Sequence, residues 1–135
     1  MEAIMQKPAF GAPSTHKTVR VAYWVITGLF CLQMGFTAYA QLHLPQVARA
    51  FVHFGFPSYF RVELSCAKLL GVAALVAPVP ARVKEWAYAG FAINLVSALI
   101  AHFSLGDPFS AWSWAAGTAL LWGASYVLWR RLEAV

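Results

Sequence analysis

Apolar residues gather in four long stretches, separated by short segments rich in Pro, Gly and charge. From about Val21 to Tyr39, Leu69 to Pro78, Trp86 to Ile100 and Ala111 to Leu128, the residues are mostly Ala, Val, Leu, Ile, Phe and Trp. A helix needs roughly 20 such residues to cross a hydrocarbon core of about 30 Å. The first, third and fourth stretches reach that length. The second reaches it only when extended back to about Tyr59, across Arg61, Glu63 and Lys68. The pattern predicts spans at about 19–40, 59–78, 84–103 and 111–129, within a membrane domain covering 18–130. Short links make neighbouring helices antiparallel, so the expected fold is all-α: a membrane-embedded four-helix bundle running up-down-up-down.

The segments between the stretches have their own signals. Residues 1–17 carry Pro8, Gly11, Pro13 and Ser14 and read as a flexible tail. Pro45 to Phe54 places Val47, Ala50, Phe51 and Phe54 on one side of a short helix. Pro45 suits its first turn, and the helix would lie flat on the membrane surface. Gly55 and Pro57 lead into the second span, Pro78 and Pro80 end it, and Gly106-Asp107-Pro108 forms a tight turn. Tyr23 and Trp24, Tyr39, Trp112 and Trp114, and Tyr126 and Trp129 stand near span ends, as interfacial aromatics do.

Composition agrees with lipid as the solvent. Hydrophobic residues make up 61% of the chain and charged residues 11%, against about 25% charged in a soluble domain. The net charge of +5 suits anionic lipid headgroups, and no basic, aromatic-rich soluble segment offers itself to nucleic acid. Lys7, Lys17, Arg20, Arg82, Lys84, Arg130 and Arg131 fall on one side of the spans, and Arg49 and Arg61 on the other. Seven against two places both termini in the cytoplasm of a multi-pass cell-membrane protein. Ala38-Tyr39-Ala40 also fits a signal-peptidase site, but the preceding apolar core is long for a signal peptide. Cys31 and Cys66 both fall within spans and read as small buried residues; no Cys-x-x-Cys motif supports a redox pair.

With this orientation the polar residues within the spans collect in the outer leaflet. Gln33, Thr37 and Gln41 recur every four residues on the first span. Arg61, Ser65 and Lys68 share a face of the second, with Glu63 nearly opposite. On the third, Asn94 and Ser97 align with Ala87, Gly90, Ala98 and Ala101, and His102 sits at the edge of that stripe. A Lys or Arg deep in a bilayer costs at least about 2.5 kcal/mol. Arg61 can snorkel to the surface, whereas Glu63 and Lys68 each call for a partner on another helix: Gln33 or Asn94 for Lys68, Gln41 or His102 for Glu63. The expected site is a polar pocket ringed by Gln33, Glu63, Lys68, Asn94 and His102, with Asp107 as a loop candidate. A purely structural ion network is the competing reading. A single in-span histidine argues against a heme held by two histidines of one chain. Glu63, His102 and Asp107 are a conceivable metal set, but no metal is expected. His43 and His53 read as surface residues.

Along these residues the chain resembles the DoxX-like family of small four-span membrane proteins. The matching features are Gly55-Phe56-Pro57-Ser58-Tyr59, Glu63 with Ala67-Lys68-Leu69-Leu70-Gly71, and Pro78. They continue through Lys84-Glu85-Trp86-Ala87-Tyr88-Ala89-Gly90-Phe91, His102 with Gly106-Asp107, and Ser125-Tyr126. The resemblance covers about Thr18 to Trp129 and implies a four-helix membrane bundle. Relatives include subunits of a thiosulfate:quinone oxidoreductase and proteins associated with redox complexes; more distant ones are chaperones or cargo receptors for membrane proteins. It carries over no catalytic residue set.

Two functions are therefore expected to compete. One is a quinone-linked redox subunit, or a binder of a lipophilic small molecule, with Lys68 or His102 donating to a carbonyl and Glu63 or His102 relaying protons. A quinone is the candidate ligand, no cofactor is bound covalently, and electrons would come from a partner. The other is a non-catalytic membrane partner or chaperone that assembles with other membrane proteins. A transporter would require a homo-oligomer, since four spans are few and no inverted repeat is evident. No catalytic triad, phosphate-cradling loop or metal-spaced Cys/His cluster is present.

Overall fold

A computed structural model describes residues 13–134. They form five helices and no strand: α1 (Pro13–His43), α2 (Pro45–His53), α3 (Ser58–Val76), α4 (Ala81–Ser104) and α5 (Phe109–Ala134). Residues 1–12 of the expected tail lie outside the described residues. The remainder of that tail is helical, because Pro13 occupies the first turn, where its missing N–H is no loss. At 31 residues, α1 is roughly 46 Å long.

Proline and glycine set the boundaries. Pro57 and Pro80 precede α3 and α4 with extended backbone, and Pro45 opens α2. Gly55 (φ 83°) and Gly106 (φ 69°) follow the last turns of α2 and α4 in the left-handed region open to glycine. Each closes a Schellman motif. Phe56 N–H reaches Phe51 O and Gly55 N–H reaches Val52 O after α2. Asp107 N–H reaches His102 O and Gly106 N–H reaches Phe103 O after α4. The second motif turns the Asp107 side chain back towards His102.

The four long helices pack cyclically: α1 against α3 and α5, and α4 against α3 and α5. Cross-helix contacts run in opposite chain directions for each neighbouring pair, as with Thr37–Lys68 and Gln41–Ser65 between α1 and α3. Tyr23, Phe30, Met34, Leu75, Tyr88, Phe91, Leu95 and Trp129 form the core. Phe30 meets Phe91 edge-to-face at 5.0 Å, and Tyr88 stacks on Trp129 at 5.4 Å.

Much apolar surface stays outside this core. Leu32, Leu70 and Leu120 are each more than 70% exposed, and Ile93 is 68% exposed. Two helices, His16–His43 and Ala81–Ser104, are long and apolar enough to cross a membrane. Only 17% of the most apolar window of α4 is buried, unlike the core helix of a soluble protein. α3 falls short because it carries Arg61, Glu63 and Lys68. α5 has the expected length, at 26 residues, but is not among the helices apolar enough to cross a membrane, because its four tryptophans and its Ser, Thr and Gly residues dilute the aliphatic content.

Candidate functional site

Polar side chains form successive layers along the helix interfaces. At the chain-termini end, Arg130 pairs with Glu85 at 2.9 Å and the Tyr126 hydroxyl donates to the same carboxylate at 3.2 Å. One turn further in, Ser125 Oγ is hydrogen-bonded to Thr27 Oγ1 at 2.6 Å and to Tyr88 OH at 2.7 Å, all three residues being buried. Trp122 Nε1 donates to the Tyr88 carbonyl at 2.9 Å. The Tyr23 hydroxyl lies buried in this region without a hydrogen-bond partner among the described residues. Next come Gln33, whose amide donates to Thr118 Oγ1, and Thr118, which donates to the Trp114 carbonyl at 2.8 Å.

Lys68 lies in the layer above. It is 7% exposed, and its Nζ donates to Thr37 Oγ1 at 3.2 Å. That hydroxyl donates in turn to Met34 O at 2.9 Å. Lys68 forms no ion pair with a described residue. Towards the α2 end, Ser65 donates to Gln41 Oε1 at 2.8 Å, and Arg61 donates to the Gln41 carbonyl, joining the end of α1 to α3.

At the α2 end the Asp107 carboxylate accepts from His102 Nδ1 at 2.7 Å and lies 3.4 Å from His53 Nε2. Phe54 meets the His102 ring edge-on at 4.9 Å. The His102 hydrogen bond, aided by His53, holds the Asp107 carboxyl below the usual carboxylate range. This clasp ties the end of α2 to the α4–α5 turn. His53, read from sequence as a plain surface residue, is part of it.

A cleft of about 310 Å³ opens between α3 and α4. Lys68 and Asn94 are polar residues along its lining; Ala67, Gly71, Gly90 and Phe91 are among its apolar walls, and Trp86 and Val83 lie towards the α3–α4 link. Gly71 is required by close approach: a Cβ there would lie 2.6 Å from Phe91 Cζ. The half-buried Asn94 side chain has no hydrogen bond to a described residue.

The expected five-residue ring is therefore divided. Lys68 and Asn94 share the cleft; Gln33, Glu63 and His102 lie outside it. Gln33 faces α5 while Gln41 faces α3, because each step of four residues advances a helical stripe by about 40°. Glu63 is exposed, and both partners foreseen for it are engaged elsewhere, Gln41 with Ser65 and Arg61, His102 with Asp107. The cleft extends from mid-helix towards the α3–α4 link, not towards the α2 end where an outer-leaflet pocket was expected. Cys31 is buried and Cys66 exposed, and both are free thiols. Among the described residues no three of His, Cys, Asp and Glu are arranged to hold a metal ion.

The Thr27–Ser125–Tyr88 cluster and Thr118 were missed as interaction residues. The available signal was the seven-residue spacing of Thr118 and Ser125, two turns apart on one face of α5. The features that carry the sequence resemblance meet in space: Tyr88 contacts Ser125, and Glu85 contacts Tyr126.

No curated protein and no solved structure matches the chain. The model of the DoxX-like family matches residues 25–125, which include both walls of the cleft and the partners of all but the outermost polar layer. With most of its length matched, the chain belongs to the DoxX-like family, a family of membrane proteins.

Proposed function

We propose that this protein crosses the cell membrane four times as an up-down-up-down bundle, with both termini in the cytoplasm, and binds a lipophilic small molecule in the α3–α4 cleft. The observation that carries the reading is the pairing of apolar cleft walls with the buried Lys68 ammonium and the unengaged Asn94 amide. Ligand sites combine such walls with a few orienting polar groups. Both groups donate hydrogen bonds, so they suit a head with strong acceptors; a quinone carbonyl is one such head. A redox role would draw electrons from a partner. His102 and Glu63 stand away from the cleft, so proton relay by them has no support in this geometry.

Two of the three charges of α3, Lys68 and Arg61, are compatible with four spans. Lys68 is buried against α1, and Arg61 is half-buried at the α2 end. The broad exposure of aliphatic side chains on the outer faces supports lipid as their solvent.

One observation favours an assembly role as the second reading. Glu63 is exposed on α3 and has no hydrogen bond or ion pair with a described residue. A cationic side chain on a neighbouring membrane protein would compensate it.

The test is purification in a mild detergent, followed by an ultraviolet–visible spectrum and mass spectrometry of co-purifying lipophiles and proteins. A stoichiometric lipophile that is lost in Lys68→Met supports the cleft. Bulk lipid alone, with a reproducible protein partner lost in Glu63→Gln, supports assembly. Reporter fusions at each terminus and in the α4–α5 turn check the orientation.

A further inference from the structure

We infer that the molecule held in the α3–α4 cleft is a single-chain amphiphile with a carboxylate head, a long-chain fatty acid being the simplest case. The inference rests on the ligand-binding reading above and adds the charge of the ligand.

Charge complementarity carries it. The Lys68 ammonium has three N–H donors; one goes to Thr37 Oγ1, and no second acceptor is found among the described residues. Its contact on α1 is therefore a neutral hydroxyl, and the polar group on α4 that shares the cleft is the neutral Asn94. The acidic side chains within the described residues are placed elsewhere. Glu63 is exposed, Glu85 is held by Arg130 and Tyr126, Asp107 is held by the histidines at the α2 end, and Glu133 is exposed near the chain terminus. A cation buried without a counter-ion is costly. A neutral quinone fills the cleft and leaves that cation uncompensated, whereas a carboxylate compensates it and also accepts from the Asn94 amide.

Shape selects one chain. Helical side chains lean towards the helix N-terminus, so Lys68 reaches back towards the α2 end, where Thr37 meets it. The apolar walls extend the other way, past Gly71 and Phe91 to Trp86. A head at Lys68 thus leaves its tail lying along the groove. A volume of about 310 Å³ stands at the lower end of ligand pockets, roughly 300–1,000 Å³, which suits one alkyl chain better than the two of a phospholipid.

The experiment is competition binding to the full-length protein in detergent, with labelled palmitic acid as probe. The competitors are hexadecanol, decylubiquinone and lysophosphatidic acid. We expect saturable palmitate binding, at least about tenfold preference for palmitate over the neutral competitors, and weaker displacement by lysophosphatidic acid. Lys68→Met should abolish the preference, and Lys68→Arg should retain most of it. Gly90→Leu, which adds bulk at an open position of the cleft wall, should weaken every ligand. Equal or better competition by hexadecanol or the quinone overturns the carboxylate assignment and leaves the ligand-binding reading standing. Stronger competition by lysophosphatidic acid replaces the carboxylate with a phosphate. No saturable binding of any lipophile, or binding unaffected by Gly90→Leu in protein that remains folded, overturns both.

Discussion

The Lys68 ammonium is 7% exposed and donates to the Thr37 hydroxyl at 3.2 Å, a neutral partner for a buried charge. A hydroxyl returns little of the hydration that a buried ammonium gives up. Lys68→Met keeps similar length and removes the charge. We expect it to stabilise the ligand-free protein by about 1–3 kcal/mol in detergent, while abolishing the preference for a carboxylate ligand. Thermal unfolding of delipidated protein checks this. A lower Tm would make the Lys68–Thr37 bond a net structural support.

Ser125 links two buried hydroxyls on different helices, Thr27 and Tyr88. Ser125→Ala leaves both without that partner and should cost about 1–3 kcal/mol. Adding Thr27→Val removes one stranded hydroxyl and should recover part of the loss. A double-mutant cycle on thermal unfolding measures the coupling. Strict additivity would mean that the three residues do not act as one cluster.

The Phe91 ring is confined between the Gly71 backbone and Phe30, which it meets edge-to-face. Gly71→Ala forces the ring aside and should destabilise by about 1–3 kcal/mol, the usual cost of overpacking. Because Phe91 is also a wall of the cleft, ligand affinity should change with it. An unchanged Tm together with unchanged affinity would count against the close approach.

The Asp107 clasp adds a pH dependence with a defined sign. Its carboxyl is held below the usual range, so the folded state favours the ionised form. The stabilisation is full above the unfolded value of about 3.9 and is lost as pH falls through the lower folded value. Asp107→Asn should flatten the acid limb of Tm against pH and loosen the end of α2. Hydrogen exchange across residues 45–54 reads the second effect. An identical acid limb in wild type and variant would show that the clasp contributes nothing.

The two thiols should differ in reactivity. Cys66 is exposed on α3 and Cys31 is buried in the core. In detergent, a membrane-permeant maleimide should modify Cys66 first, and Cys31 only after unfolding. Equal labelling in the native state would contradict the packing of α1.

The helical elements and the family are legible in the residue pattern alone. Apolar runs of span length, interrupted by Pro57, Pro80, Gly55 and Gly106, leave the backbone few alternatives. Hydrogen bonds within each helix are local, so the pattern marks most helix ends to within a few residues; α1 begins at Pro13, six residues before its expected limit, and α5 ends at Ala134, five beyond its own. Which polar residues meet depends on how the helices pack. Gln33, Thr37 and Gln41 look equivalent as a stripe, but the rotation of a helix by about 100° per residue turns Gln33 to α5 and Gln41 to α3. Glu63 faces outward, and His102 is drawn to Asp107 by the turn at Gly106. The cleft joining Lys68 to Asn94 depends on which faces of α3 and α4 pack together and on Gly71 admitting Phe91. Such contacts join residues far apart in the chain, so periodicity along one helix constrains them only weakly.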